Sequence, residues 1–279
     1  MDKIDISMEN FSFSNTTELD EQETFRHGCL SDKEILKRMK TGDIVIEPFD
    51  KKNLNTSSYD LRLGQYYYRE QAPKGGLEVY NPFSKSHVQD VWGKQHFEAV
   101  PVKLFFEDKE FFKTYLYQLG IRAGYVPRQI DVKQVEHTFE NIHPEDKVIF
   151  IFPKETILAH TQEFIGGRNT VTTMMKARSS LGRNFIEVCK CAGWGDVGYI
   201  NRWTMEITNN STYRIIPLVV GRRMAQMIFF DVGTIEGEDY TKAAYSKYQS
   251  SHDLEQTRIS WTPSQMIPKM HLDGDIHQK

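Results

Sequence analysis

From Lys147 onward the chain is written in short β-type runs, at 148–152, 156–161, 203–208, 215–220 and 224–230, parted by clusters of Gly, Pro and Asn. β-Branched and aromatic residues are frequent in these runs, and such side chains suit a pleated, half-buried surface. Strands this short and regular favour a compact antiparallel barrel or jelly roll over a βαβ sheet. The fold class read from this half is therefore mainly β, with a few short helices elsewhere. No repeat of fixed period and no heptad pattern competes with that reading.

Local signals fill in part of the first half. At Ser31-Asp-Lys-Glu34 a capping-box pattern precedes Ile35, Leu36 and Met39 at helical spacing, and Gly42 stands where the helix should stop. In residues 57–64, Tyr59, Leu61 and Leu63 alternate with Ser58, Asp60 and Arg62, which predicts a strand ending at Gly64. Residues 65–146 are aromatic-rich and carry no clear period apart from a helical stretch at 109–119, and no chemistry is assigned to them. Residues 1–28, rich in Ser, Thr, Asn and acids, read as a mobile arm. After Tyr240 the text turns polar again, as an ordered flap or a loose tail.

Composition closes off several classes of function. Lys plus Arg number 35 and Asp plus Glu 38, so the formal charge is 35 − 38 = −3 and no strong field draws the chain to nucleic acid or an anionic membrane. No run approaches the ~18 apolar residues of a spanning helix, so no membrane protein is expected. The first residues mix acids and polar groups where a secretory signal would place bases and an apolar core, which predicts a cytoplasmic protein. Three cysteines, Cys29, Cys189 and Cys191, suit thiols in a reducing compartment, and the latter two read as strand residues.

The chemistry-bearing text lies between 176 and 206. Lys176-Ala-Arg-Ser-Ser-Leu-Gly-Arg183 sets guanidinium groups, hydroxyls and backbone N–H groups beside a glycine, a composition suited to phosphate. Taken alone it fits a basic surface turn equally well. Gly193-Trp-Gly-Asp-Val-Gly-Tyr-Ile-Asn201 then reads as a glycine-rich hairpin carrying Asp196 and Tyr199. Trp203, Met205 and Ile207 alternate with Thr204, Glu206 and Thr208, which puts Glu206 on the polar face between two threonines. No Walker A loop, GxGxxG, GxSxG or HExxH occurs. Zinc nucleobase deaminases need a P-C-x-x-C segment beside H-x-E, and no P-C-x-x-C is present.

In order along the chain these pieces resemble the dCTP deaminase and dUTPase superfamily, the deaminase branch in particular. Arg178-Ser-Ser-Leu-Gly-Arg183 is similar to its phosphate motif, and Asp196-Val-Gly-Tyr199 with Glu206 has the spacing of its pyrimidine hairpin and catalytic glutamate. Ser57-Ser-Tyr-Asp-Leu-Arg-Leu-Gly64, the stretch 221–230 and Tyr245-Ser-Lys-Tyr-Gln249 resemble its early strand, late strand and closing tail. The resemblance implies a dUTPase-like distorted β-barrel or jelly roll at 29–239 with an insert at about 81–146, between the arm at 1–28 and a C-terminal flap at 240–279. It further implies a homotrimer with sites between subunits, turning dCTP into dUTP and ammonia without zinc in pyrimidine deoxynucleotide metabolism.

Carried over residue by residue, Arg178, Ser179, Ser180 and Arg183 would hold the triphosphate, Asp196 would bind near the sugar and base, and the backbone of Thr204 would read the pyrimidine edge. Tyr240 and Lys247 would complete the phosphate end, and Glu206 would be the acid and base. Mg2+ would come with the nucleotide, with no metal ligand from protein side chains, and dTTP is a candidate inhibitor. A dUTPase or a combined enzyme making dUMP stays open, as does a non-catalytic nucleotide-binding regulator on the same scaffold.

Overall fold

The computed structural model describes residues 28–73, 78–127, 129–243, 246–249, 251 and 253–273. The expected arm, apart from Gly28, lies outside the described residues, as does Tyr245 of the tail motif. In chain order the strands are β1 (Gly28–Cys29), β2 (Ile44–Glu47), β3 (Tyr59–Arg69), β4 (Phe97–Glu98), β5 (Val100–Pro101), β6 (Lys147–Ile151) and β7 (Thr156–Gly167). They continue with β8 (Val171–Ala177), β9 (Ile186–Val188), β10 (Trp194–Gly195), β11 (Ile200–Asn209), β12 (Ile216–Val219) and β13 (Arg223–Asp231). Most join one antiparallel sheet in the order β10-β8-β13-β3-β7-β11-β9, with β1 on β13, β2 on β7 and β4 on β3. Tyr59–Arg62 of β3 pair with β13 while Leu63–Arg69 pair with β7, so this one strand joins the two halves of the sheet. Leu61, Ile165, Met205, Met227 and Phe229, drawn from both halves, are buried together in one core, and the sheet curls around it as a half-barrel. The chain is mainly β, as the short-run pattern predicts.

Helix α1 (Asp32–Thr41) begins where the capping box places it: Ser31 Oγ accepts the Glu34 N–H at 3.4 Å, and Gly42 closes the other end by donating to the Arg38 and Met39 carbonyls. Ile35 is fully buried on its apolar face, and Arg38 ties the helix to Asp231 at the end of β13.

The alternation in β3 holds, with Tyr59, Leu61 and Leu63 all fully buried. The strand does not end at Gly64, however, but runs on to Arg69. Gly64 is there for clearance: a Cβ would lie 2.0 Å from Cε1 of His160, whose ring fills that gap from β7. His160 Nε2 accepts the Tyr66 N–H at 3.3 Å, so Nδ1 carries the proton and donates it to the Thr161 carbonyl at 2.8 Å. Burial pushes its pKa down to about 4, which keeps the ring neutral.

The stretch without a readable period contains α2 (Lys85–Trp92), α3 (Lys103–Glu107), α4 (Lys109–Arg122) and α5 (Val135–Thr138). The last three pack on a separate three-stranded sheet, β12-β6-β5, and share a second core with it. That core is a cluster of rings in which Phe105 stacks on Phe139 at 5.6 Å and meets Phe112 and Phe150 edge-on. Between the two cores Arg69, fully buried, pairs with Glu155 at 2.9 Å and donates to the Phe150 carbonyl at 2.9 Å. No helix of the described residues is long and apolar enough to cross a membrane.

Candidate active site

The hairpin forms because its glycines allow close backbone contact. Trp194 and Gly195 pair with Met174 and Thr173 of β8, and the Thr172 hydroxyl caps the Gly195 carbonyl at 2.6 Å. Gly198 has φ +96°, a left-handed conformation, and a Cβ there would press on Asp239 and the Tyr240 N–H at 3.0–3.2 Å. The Tyr240 N–H donates to Val197 at 2.8 Å, so the hairpin holds the segment that follows the sheet.

β11 leads away from this hairpin and carries Trp203, Met205 and Ile207 into the core. Thr204 and Glu206 occupy its other face, as the alternation predicts, and line a cavity of about 460 Å³. Glu206 lies opposite Leu158 of β7. On its other edge β11 pairs with β9 only from Ile207 onward, and the Cys189 N–H reaches the Glu206 carbonyl at 3.0 Å. The polar groups of alternate residues share one side of a strand, so the N–H and C=O of Thr204 point the same way as the Glu206 carbonyl, past the end of β9. Thr204 thus has a backbone edge without a strand beside it, a place where a planar ring can be read.

Tyr199 stands at the hairpin end of the cavity, edge-on to Trp203 at 5.1 Å and to Tyr240 at 5.0 Å. Burial raises the pKa of the Glu206 carboxyl, against its own backbone N–H and the Lys190 ammonium, which pull it down. Burial likewise raises the Tyr199, Tyr240 and Tyr248 phenols, so all three stay neutral donors. Among the described residues no group of three or more His, Cys, Asp or Glu side chains is placed to hold a metal ion. Cys189 and Cys191 are not strand residues: β9 ends at Val188, and Cys189 and Lys190 turn the chain with φ of 64° and 42°.

Of the residues singled out from the sequence, Asp196, Thr204, Glu206 and Tyr240 share this cavity. Arg178, Ser179, Ser180 and Arg183 do not line it. They form the turn of α6 (Ser179–Gly182), where Ser179, Ser180 and Arg183 are exposed and Arg178 lies 3.5 Å from the buried carboxylate of Asp60. Asp60 also holds Arg223, at 3.2 Å. The side chain of Lys247 pairs with Asp273, and its backbone N–H donates to the Tyr240 hydroxyl at 3.4 Å.

Residues that close the cavity escaped the sequence reading: Tyr248, Met266 and Pro268 from the C-terminal segment, Trp92 from α2, and Leu158 from β7. The C-terminal segment is ordered over the described residues and pinned to the hairpin. Gln249 Oε1 accepts the Ile200 N–H at 2.6 Å, and Asn201 Nδ2 donates to the Tyr248 carbonyl at 2.9 Å. Lys269 donates its N–H to the Tyr248 hydroxyl at 3.1 Å and its ammonium to the Lys247 carbonyl at 2.7 Å.

A curled antiparallel sheet that presents one desolvated carboxylate beside an open backbone edge, under a roof of tyrosines, defines a protein built to hold a small planar molecule. The chain belongs to the dCTP deaminase-like family, whose model matches residues 29–103 and 113–232. It is 27% identical over 230 residues to the dUMP-forming dCTP deaminase of Methanococcus aeolicus, covering 82% of this chain and 96% of that protein. It is 30% identical over 202 residues to the dUMP-forming dCTP deaminase of a Hydrogenobaculum species, covering 72% and 80%. The dCTP deaminase of Haloarcula marismortui is 26% identical over 232 residues, covering 82% and 94%. A solved 2'-deoxycytidine 5'-triphosphate deaminase from Agrobacterium tumefaciens superposes with a TM-score of 0.44 at 15% identity, over 74% of this chain and 48% of that one.

Proposed function

We propose that the chain hydrolyses the C4–N4 bond of dCTP, giving dUTP and ammonia, with Glu206 as the acid and base. The observation that carries this reading is the placement of Glu206: a buried carboxyl of raised pKa inside a cavity, beside the open edge of Thr204. Hydrolysis at C4 needs a proton taken from the attacking water and a proton given to the departing amine. A carboxyl whose pKa has moved toward neutrality does both better than an ordinary one, and such catalysis contributes about 10²–10⁴-fold. The Thr204 N–H and C=O would read the pyrimidine edge, Asp196 would face the sugar, and the tyrosines would exclude water. Mg2+ would arrive with the triphosphate as part of the substrate.

A second reading, release of dUMP, is favoured by Asp196. It is exposed at the cavity mouth, where a carboxylate could direct water to a phosphate, and several relatives are named dUMP-forming. Incubating the pure chain with dCTP and Mg2+ and resolving dUTP, dUMP and ammonia separates the cases. Ammonia with dUTP is the expected pattern; ammonia with dUMP would establish the second reading, and unchanged dCTP would sink both.

The α6 turn lies away from its own chain's cavity, which supports a site completed by a neighbouring subunit. In a homotrimer of that kind, Arg183→Ala and Glu206→Gln chains, each inactive alone, should complement when refolded together. About a quarter of random interfaces would then pair an intact Arg183 with an intact Glu206, and activity should return to roughly that fraction. Verified mixed trimers as inactive as their parents would place both residues in a site within one chain.

A further inference from the structure

Past Glu206 the cavity changes character. Asp196 and the hairpin occupy one end, and Thr204 and Glu206 follow along β11. The far end is apolar, built from Leu158, Trp92, Met266 and Pro268. Leu158 faces Glu206 directly across the β7–β11 pair. Thr156, also in the wall, pairs with Thr208, roughly 7 Å farther along the strand than Glu206. The Thr156 and Thr208 hydroxyls bond each other at 2.8 Å, so each already has a partner. Met266 seals this end by packing with Leu158 and Tyr68, and Trp92 lies against them. None of the four apolar side chains carries an oxygen that an amino group could donate to.

In a cytosine nucleoside the sugar-bearing N1 and C4 lie on opposite sides of the ring. With the sugar toward Asp196 and C4 beside Glu206, the exocyclic nitrogen points past Glu206 into the apolar end. We propose that this end accepts an apolar group on that nitrogen, so that the substrate class extends to N4-alkylated deoxycytidine triphosphates, of which N4-methyl-dCTP is the smallest. The inference rests on the deaminase reading and adds a specificity to it. The reaction balances without a further reagent. The oxygen of water bonds to C4, the C4–N4 bond breaks with its electron pair leaving on nitrogen, and the two protons of the water end on ring N3 and on the departing amine. The products are the 4-keto pyrimidine nucleotide and methylamine.

The test supplies dCTP and N4-methyl-dCTP separately to the full chain with Mg2+, and follows ammonia, methylamine and uracil nucleotide. Methylamine should appear in step with uracil nucleotide, with kcat/KM within about tenfold of that for dCTP. Met266→Trp, which fills the apolar end, should lower the ratio of N4-methyl-dCTP to dCTP turnover by at least about tenfold. Turnover of dCTP without release of methylamine would overturn the inference and leave the deaminase reading standing, whereas turnover of neither would overturn both. An unchanged ratio in Met266→Trp would also overturn it, because the alkyl group would then sit elsewhere.

Discussion

Glu206→Gln should lower dCTP turnover by about 10²–10⁴-fold while fold and dCTP binding persist, because the amide keeps the shape of the side chain and cannot carry the proton. The effect should fall on kcat and not on the dissociation constant of dCTP, measured by equilibrium binding. The pH profile adds a sharper mark. Burial raises the Glu206 carboxyl above its ordinary 4.5, and only the deprotonated form can take a proton from water. Activity of the native chain should therefore fall with acidification at a pH above that of an ordinary carboxylate, and this limb should vanish in whatever turnover the variant retains. Near-native turnover in Glu206→Gln would remove the residue from the chemistry.

Arg69→Met carries the largest expected cost in stability. Arg69 is fully buried between the two cores, with its guanidinium about 5.5–5.8 Å from the ring centres of Tyr67, Phe97 and Phe152. Removing it strands Glu155, whose carboxyl is already raised by burial and pulled back by Arg69. Loss of one partner from a buried pair costs about 3–5 kcal/mol. The urea midpoint should drop by about 1 M or more. Glu155→Gln added to Arg69→Met should recover part of the loss, since the amide oxygen can still accept the Phe152 N–H, now bonded at 2.7 Å, without an unpaired charge. A single variant with an unchanged midpoint, or a double variant worse than the single, would mean that the pair is not holding the cores together.

What could be read in the sequence was what depends on neighbours along the chain. Ser31 and Gly42 delimit α1 because caps are local devices, and the alternation around Glu206 shows because β11 is buried on one face and open on the other. Gly64 misled because its reason is a ring arriving from β7, which no local pattern records. The β8 run of Thr172, Thr173, Met174 and Met175 went unread: three of these four are buried although they alternate in neither size nor polarity. The insert was opaque because its core assembles Phe105, Phe112, Phe139 and Phe150 from separate short elements. Trp92, Met266 and Pro268 join the site through tertiary packing alone, so the floor of the cavity was legible and its roof was not.

The way β3 and the C-terminal segment are used also fixes an order of events during synthesis. β3 leaves the ribosome before either of its main partners, β7 and β13, and its first half must wait for Arg223–Met227 before the sheet can close. At that moment Glu206 is already in its strand, but Tyr248, Met266 and Pro268 have yet to be made. The cavity is therefore the last thing the chain completes. A cut between residues 231 and 246 would leave every strand pairing of the sheet in place and open the carboxylate to bulk water, so a protease nicking that connection would silence the protein without unfolding it.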